Sequence, residues 1–276
     1  MSQTAVIYQG TNSLVLKKNS SIVLIDPYYS RVGLRRLLGK IRPNPQRVGE
    51  GLRSAGVDSI NGILLTHTHY DHALDATEVV RQQGGVIYGS RSAVNLAKGA
   101  GLTPEHYQWV RKGEPYFVGS FRVVFHPSKH ISFPPPVSWL LPEKGKIEEP
   151  LVTPAWFWDF RSGKVSAVQV DRLLIFGSAG SVPGAYKDLD IETVVLGIGG
   201  FEMKPFHYLR KRYHEVVIES GARRVLISHW DNFFNSDTHQ LKFLGLAKQT
   251  LSRIEALGQQ YGQEVRLLKI GERYLI

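Results

Sequence analysis

The sequence contains no cysteine in its 276 residues. This absence excludes disulfide bonds, thiolate nucleophiles, iron–sulfur clusters and zinc fingers that use cysteine ligands. Any metal ion that the chain binds is therefore expected to have nitrogen and oxygen ligands.

Long uncharged apolar segments are also absent, since none approaches the roughly 18 residues that a membrane-spanning helix requires. The first sixteen residues carry no charged side chain. They nevertheless lack the basic start of a signal peptide, and Gln3, Gln9 and Asn12 interrupt their apolar character. We therefore expect a soluble, cytoplasmic protein.

Acidic residues are scarce relative to basic ones, because 24 Asp and Glu stand against 34 Lys and Arg and give a net charge of +10. A field of this sign attracts phosphates, carboxylates, nucleic acids or anionic lipids. The charge is concentrated in residues 31–53, where one acid, Glu50, accompanies seven basic residues: Arg31, Arg35, Arg36, Lys40, Arg42, Arg47 and Arg53.

Three interpretations of this basic stretch stay open. Leucines and an isoleucine between residues 34 and 41 follow helical spacing, which predicts a helix with a solvated basic face. That face could be ordinary surface or a contact within a homo-oligomer, a clamp for a substrate phosphate, or a peripheral contact with an anionic membrane. The chain lacks the interleaved aromatic and basic residues of known RNA-binding modules, so we do not expect a nucleic-acid partner.

The predicted elements form a mixed α/β chain. We expect an opening β meander over residues 5–26, further strands at 63–66, 86–88, 172–176, 193–196 and 225–228, and helices at 73–83, 93–97, 208–220 and 241–257. Hairpins are predicted at 116–126 and at 265–276, and residues 133–158 read as a long aromatic, proline-rich loop of the kind that often forms a lid. No linker, charge break or tandem repeat divides the chain, so a single domain over residues 1–276 is expected.

Two of the predicted strands end alike. Residues 63–67 and 225–229 are both apolar runs that finish with a hydroxyl residue and a histidine, Thr66-His67 and Ser228-His229. We expect two halves of the protein to face each other at these strand ends.

The strongest chemical signal is His67-Thr68-His69-Tyr70-Asp71-His72, which places four candidate metal ligands in six residues after a predicted strand. Side chains two apart on an extended segment project the same way, so His67 and His69 can share one ion, and the turn into the next helix can aim Asp71 and His72 at a second. The alternative is a polar strand end with surface histidines. Metal binding explains the crowding better, because a divalent cation turns the repulsion among these groups into coordination.

The motif His67-x-His69-x-Asp71-His72 resembles the signature of the metallo-β-lactamase superfamily of metal-dependent hydrolases. Tyr70-Asp71-His72 with Leu74-Asp75 is similar to the branch that contains N-acylphosphatidylethanolamine phospholipase D and the ascorbate-6-phosphate lactonase. Further stretches agree in order along nearly the whole chain: residues 10–16, 24–27, 127–130, 197–200 and 228–231. The resemblance implies a four-layered αβ/βα sandwich with metal ions at one edge, between two sheets.

The resemblance also implies the ligands: His67, His69 and His130 for a first metal, and Asp71, His72 and His229 for a second. His126 competes with His130 for the third-histidine position, and the pattern Pro127-Ser128-Lys129-His130 favours His130. The expected cofactor is one or two Zn²⁺ ions, with Mn²⁺ or Fe²⁺ as alternatives.

Two further carboxylates each have two interpretations. Asp26 either accepts a hydrogen bond that orients a ligand histidine or begins the turn at Pro27. Asp75 either belongs to the site or complements the dipole of a helix first turn.

One position departs from the family pattern. Where the family has a glycine-aspartate pair whose carboxylate bridges both metals, this sequence has Gly177-Ser178, so Ser178 stands in the bridging position. A neutral hydroxyl is a poor zinc ligand, and the second metal is therefore expected to bind weakly. Asp159, Asp188 and Asp190 are candidate replacements.

The expected reaction is hydrolysis by metal-bound hydroxide, with Asp71, His229 and Tyr70 as catalytic residues. The net charge, together with the phosphoesters and lactones of the resembling branch, favours an anionic ester, phosphodiester or lactone as substrate. The alternative is a metal-containing binding or sensor protein of the same fold, which Ser178 would leave with little activity.

Overall fold

Two seven-stranded β-sheets form the centre of the computed structural model, which describes residues 3–132, 144–235 and 242–276. The first sheet has the order β14-β1-β2-β3-β4-β5-β6 and the second the order β13-β12-β11-β10-β9-β8-β7. The first consists of β1 (Ala5–Gly10), β2 (Ser13–Lys18), β3 (Ser21–Ile25), β4 (Gly62–Leu64), β5 (Val86–Gly89), β6 (Tyr107–Trp109) and β14 (Arg273–Leu275). The second consists of β7 (Pro115–Val118), β8 (Phe121–Pro127), β9 (Ser166–Val170), β10 (Leu173–Phe176), β11 (Thr193–Gly197), β12 (Arg224–Ser228) and β13 (Glu264–Leu267).

Helices cover the outer face of each sheet. The α-helices are α1 (Pro45–Ser54), α2 (Tyr70–Ala73), α3 (Ala76–Gln83), α4 (Arg91–Gly99), α5 (Phe206–Tyr213) and α6 (Ala247–Tyr261). Short 3₁₀ turns occupy Leu34–Leu38, Pro104–His106, Phe157–Asp159 and Phe201–Met203. Within the described ranges, no helix has the length and apolarity needed to cross a bilayer.

Side-chain alternation along β1 shows how the layers form. Val6 and Tyr8 lie in the core between the sheets, whereas Ile7 lies in a second core beneath α1, α3 and α4. Because successive residues of a strand point to opposite faces, a strand buried on both faces needs apolar residues at every position. Helices α5 and α6 pack on the far side of the second sheet through residues such as Leu209 and Ile254. The expected four-layered αβ/βα sandwich is confirmed.

The predicted terminal hairpin is wrong. Strand β13 pairs in parallel with β12 in the second sheet, and β14 pairs antiparallel to β1 in the first. Between them the chain crosses from one sheet to the other near Ile270, which bridges to Tyr8, and turns at Gly271 with a φ of +73°. The two short runs looked like neighbours because local sequence does not record which sheet each one joins.

Three predicted segments have different bounds. The 3₁₀ turn Leu34–Leu38 takes the place of the helix expected at residues 34–41, and the separate helix α1 follows it. Helix α1 begins after Asn44, whose side chain accepts a hydrogen bond from the Arg47 backbone N–H. The helix expected at 208–220 is regular only through α5 and continues as a π-helical turn, His214–Ile218. Helix α6 begins at Ala247, whereas the sequence predicted a helix that begins at residue 241. Residue 241 and residues 133–143 of the aromatic loop lie outside the described residues.

A buried ion pair joins the segment after β3 to the segment after β12. The Arg31 guanidinium lies 2.5 Å from the Asp231 carboxylate, and Arg31 and Asp231 are 1% and 0% exposed. Asp231 also accepts hydrogen bonds from the Tyr8 hydroxyl and the Thr11 backbone N–H, at 2.6 and 2.7 Å. Arg31 therefore does not belong to the solvated basic face predicted for the stretch 31–53, which corrects that prediction at this residue.

Replacing Arg31 by methionine is expected to lower the free energy of unfolding by about 3–5 kcal/mol, because the Asp231 carboxylate would remain buried without its cation. Urea denaturation followed by circular dichroism measures this change. Arg35→Met is the matched control: Arg35 is exposed, and its loss should change stability by no more than about 0.5 kcal/mol. Equal stability of the two variants would contradict the assigned role of the ion pair.

Candidate metal centre

The histidine-rich segment lies at the carboxyl end of β4, where it meets the carboxyl end of β12. A buried chain of hydrogen bonds joins these strand ends: Ser228 donates to Asn12 Oδ1 at 2.9 Å, Asn12 donates to Asp26 at 2.8 Å, and Thr66 donates to Asp26 at 2.6 Å. The two hydroxyl residues that made the strand ends look alike are thus the two ends of one network. As expected, the two halves of the protein face each other here.

The first ligand group consists of His67, His69 and His130, whose candidate donor atoms all lie within 4.8 Å of one another. The Nε2 atom of His67 is 3.1 Å from Nδ1 of His69, and the rings of His69 and His130 have centroids 4.5 Å apart. His130 reaches the group from the loop that follows β8.

The second group consists of Asp71, His72 and His229. Asp71 and His72 lie on α2, and His229 directly follows β12. The Asp71 Oδ2 atom is 3.4 Å from Nε2 of His72 and 3.3 Å from Nε2 of His229. The structure thus brings together all six predicted histidine and aspartate ligands from three separate parts of the chain: residues 67–72, His130 and His229.

Hydrogen bonds behind the cluster orient two of the imidazoles. Asp26 accepts a hydrogen bond from Nδ1 of His72 at 2.8 Å, and Thr66 Oγ1 lies 3.0 Å from Nδ1 of His67. Since the Thr66 hydroxyl donates to Asp26, it is available to accept from His67. In both rings Nδ1 then carries a proton, and Nε2 is the atom that faces the cluster. Asp26 has the histidine-orienting role that was one of its two interpretations.

Electrostatics within the cluster favour a cation. Burial and the neighbouring imidazoles hold the pKa of His67 well below its usual value, and burial lowers the pKa of His130 to about 4, so both rings are neutral at pH 7. Burial also opposes the charge of His72, but Asp71 and Asp26 outweigh it and raise the pKa of His72 to about 10. Burial opposes ionisation of Asp71 too, yet His72 and His229 hold the pKa of Asp71 well below its usual range.

These donors fit a divalent metal ion. Neutral imidazole nitrogens and an ionised carboxylate are zinc ligands, and orienting hydrogen bonds to the remote ring nitrogen are typical of metal-ligating histidines. The remote Nδ1 atom of His229 is buried and has no hydrogen-bond partner among the described residues. It lies against Gly199, where an added Cβ would come within 2.7 Å of that nitrogen, so the position admits only glycine.

The competitor His126 lies elsewhere. It belongs to β8, and its Nε2 atom is 2.8 Å from the side-chain oxygen of Gln169. Strand β8 ends at Pro127, and the chain then turns so that His130, not His126, lies in the cluster.

Ser178 follows β10 and lies in the wall of the same pocket as Asp71 and His229. Its hydroxyl oxygen accepts a hydrogen bond from the Ile131 backbone N–H at 3.0 Å. The candidate replacement acids do not line this pocket: Asp159 accepts from the Trp156 backbone, Asp190 pairs with Arg172, and Asp188 lies in the turn before Asp190. The Asp75 carboxylate accepts hydrogen bonds from the backbone N–H groups of Tyr29 and Ser30, and Asp75 does not line the pocket either.

The pocket above the cluster has a volume of about 220 Å³ and mostly apolar walls. Phe157, from the predicted aromatic loop, lies in the wall, and several other wall residues had no signal in the sequence that pointed to them: Phe160, Glu202, Met203, Phe233, Phe234 and Leu244. Tyr70, a predicted catalytic residue, also lines the pocket, and burial raises the pKa of its phenol well above the usual value. Within the described part of the chain, no lysine or arginine lines the pocket.

Comparison with known proteins agrees with this geometry. A model of the metallo-β-lactamase superfamily matches residues 8–228, which is most of the chain. The chain belongs to the metallo-β-lactamase superfamily. The expected superfamily is therefore confirmed.

A curated relative is the UPF0173 metal-dependent hydrolase of Christiangramia forsetii. It is 27% identical over 183 residues, which make up 66% of this chain and 55% of the relative. The chain therefore spans about half the length of this relative. The name of the relative agrees with the expectation of a metal-dependent hydrolase.

Two solved structures share the fold. Igni18, a metallo hydrolase from the hyperthermophilic archaeon Ignicoccus hospitalis, has a TM-score of 0.58 and 15% identity, covering 99% of this chain and 98% of that one. CmlA, a diiron β-hydroxylase from Streptomyces venezuelae, has a TM-score of 0.60 and 14% identity, covering 100% of this chain and 54% of that one. Because one of the two is a hydroxylase, the shared metallo-β-lactamase fold does not by itself identify the reaction.

Replacing Asp26 by asparagine is expected to weaken divalent-metal binding by about 10–100-fold, because Nδ1 of His72 would lose its anionic hydrogen-bond acceptor. Isothermal titration of metal-stripped protein with Zn²⁺ measures the change. Asp190→Asn removes an exposed carboxylate of the same kind and is the control. Equal affinity of the two variants would show that Asp26 does not act on the ligand histidines.

Proposed function

We propose that this superfamily member is a metal-dependent hydrolase that acts on an anionic ester, phosphodiester or lactone. The observation that carries the proposal is the pair of adjacent ligand groups at the base of one pocket. A metal ion with a purely structural role is usually enclosed by protein ligands, whereas a catalytic ion keeps a position open to water and substrate. The names of the curated relative and of Igni18 support the same reaction class.

In this proposal His67, His69 and His130 hold one ion, and Asp71, His72 and His229 hold a second. When bound, divalent cations at such a centre lower the pKa of water and polarise an oxygen of the substrate. Zinc is the proposed metal, since nitrogen donors dominate both groups; Mn²⁺ and Fe²⁺ are the alternatives.

Three residues are proposed to take part in the reaction itself. The Asp71 carboxylate is ionised and faces the pocket, so it can orient the attacking water and accept its proton. The buried Tyr70 phenol stays protonated and can donate a hydrogen bond to developing negative charge on the substrate. His229 borders the same space opposite His72.

The residues of the pocket walls indicate which chemical groups of a substrate could bind there. An anionic group would be received at the metal centre itself, because the described walls contain no lysine or arginine. The aromatic walls, with Phe157 on one element and Phe233 on another, leave room for an apolar substituent. The resemblance to phospholipase D and lactonase enzymes supports phosphodiesters and lactones as the first compounds to test.

A second candidate function is binding or sensing with little turnover. Ser178 favours it, because a neutral side chain at this wall leaves Asp71 as the single carboxylate of the second ligand group. Weak binding of the second ion would reduce catalysis while leaving a metal-dependent ligand site.

Purified protein loaded with Zn²⁺ or Mn²⁺ is expected to hydrolyse at least one compound in a panel of bis(4-nitrophenyl) phosphate, 4-nitrophenyl esters and aliphatic lactones. His67→Ala should lose at least about 100-fold of that activity, since it removes a metal ligand. Release of 4-nitrophenol, or of acid from the lactones, measures the rate.

His126→Ala is the matched control for this experiment, because His126 is a histidine outside the cluster. It should retain the activity of the unaltered protein. Metal-loaded protein that is inert toward the whole panel would contradict the hydrolase and favour the binding protein.

Replacing Ser178 by aspartate is expected to raise the occupancy of the second metal site, because the new carboxylate adds negative charge beside Asp71 and His229. Metal content per chain after gel filtration, measured by inductively coupled plasma mass spectrometry, should move toward two ions. Ser178→Asn, which adds similar bulk without charge, should leave the metal content unchanged. An unchanged content in Ser178→Asp would mean that this wall does not contact the second ion.

A further inference from the structure

Charge at the metal centre is the starting point. Two divalent cations would bring four positive charges, whereas the carboxylates within the ligand clusters are Asp71 and Asp26. Asp26 already serves Thr66, Asn12 and His72 through hydrogen bonds. A second cation next to Asp71 would therefore be short of negative charge, and charge deficiency lowers the affinity of a cation site.

Glu202 is the other carboxylate in the pocket wall. Glu202 lines the same pocket as Asp71, His229 and Ser178. Among the described residues, Asp71 and Glu202 are the two acidic residues of the pocket wall. Glu202 lies on the 3₁₀ turn Phe201–Met203, which follows the glycine turn that packs against His229.

No lysine or arginine of the described residues pairs with Glu202. One carboxylate oxygen accepts a hydrogen bond from the Gly200 backbone N–H at 3.0 Å, and Glu202 forms no salt bridge with any described lysine or arginine. Glu202 lines the same pocket as His229, a member of the second ligand group, and burial raises the pKa of the Glu202 carboxyl. A partly buried carboxylate with spare lone pairs in a mostly apolar wall is costly unless a cation accompanies it.

We propose that Glu202 supplies the second negative charge of the metal centre, so that the ion at Asp71, His72 and His229 depends on Glu202 for its affinity. This role rests on the proposed metal site. It assigns to the turn after β11 the carboxylate function that Ser178 does not provide.

The test is metal titration of Glu202→Gln. Glutamine keeps the shape of the side chain and an oxygen that can accept from Gly200, so the turn should persist while the charge is lost. Isothermal titration of metal-stripped protein with Zn²⁺ should show about a 10–100-fold weaker second site and a first site that changes by less than about threefold. Glu255→Gln, which removes an exposed acid from α6, is the control with the same change in net charge.

Two further variants make the outcome specific. Glu202→Asp keeps the charge and should retain most of the affinity, and Ser178→Asp combined with Glu202→Gln should recover the second site. Co²⁺ absorption spectra of the loaded proteins give a second readout that does not depend on turnover.

The outcomes separate this inference from the proposed function. If the unaltered protein binds two ions and Glu202→Gln matches Glu255→Gln, the role of Glu202 is refuted while the metal-dependent hydrolase stands. If the unaltered protein binds no divalent cation, both are refuted. Selective loss of the second site in Glu202→Gln, with recovery in the double variant, supports the inference.

Discussion

The geometry of the candidate metal centre depends on one buried carboxylate, that of Asp26. It accepts hydrogen bonds from the Thr66 backbone and hydroxyl, from the Asn12 amide and from the His72 ring, and it is fully buried. A buried carboxylate is tolerated only when its oxygens are fully hydrogen-bonded, so Asp26 holds these partners in fixed positions. Through Asn12 the same network reaches Ser228, directly before His229. One anion thereby sets the distance between ligands that come from different sheets.

Local chemistry was readable from the sequence, whereas most of the long-range geometry was not. Residues 67–72 predict a metal site because the candidate ligands are adjacent in the chain. The periodicity of apolar residues predicted the opening meander and most strands. His130 and His229 could be assigned only through a family resemblance, since nothing local distinguishes His130 from His126. The terminal hairpin failed for the same reason: strands β13 and β14 join different sheets, and their pairing energies come from residues more than thirty positions away in sequence.

Burial explains the remaining differences between expectation and structure. Arg31 looked like one charge among seven, yet its pairing with Asp231 places it in the interior, a property that composition cannot show. Glu202, Phe233 and the other wall residues lie near the cluster only because the turn after β11 and the segment after β12 converge on one pocket. Ser178 was identified from the sequence as a departure from the family pattern, but only the structure shows that Glu202 lies in the wall of the same pocket.

The position of His229 has a consequence for assembly of the protein. Its backbone has a φ of +54°, and its N–H donates to the Thr11 carbonyl oxygen at 2.5 Å, so the turn between β1 and β2 supports a residue that follows β12. A chain in which only the amino-terminal sheet has formed would display His67, His69, Asp71 and His72 but would lack the donors contributed by the other sheet. Such a partly folded chain would be expected to bind fewer ions than the folded protein. Metal content would therefore indicate whether the two sheets have docked.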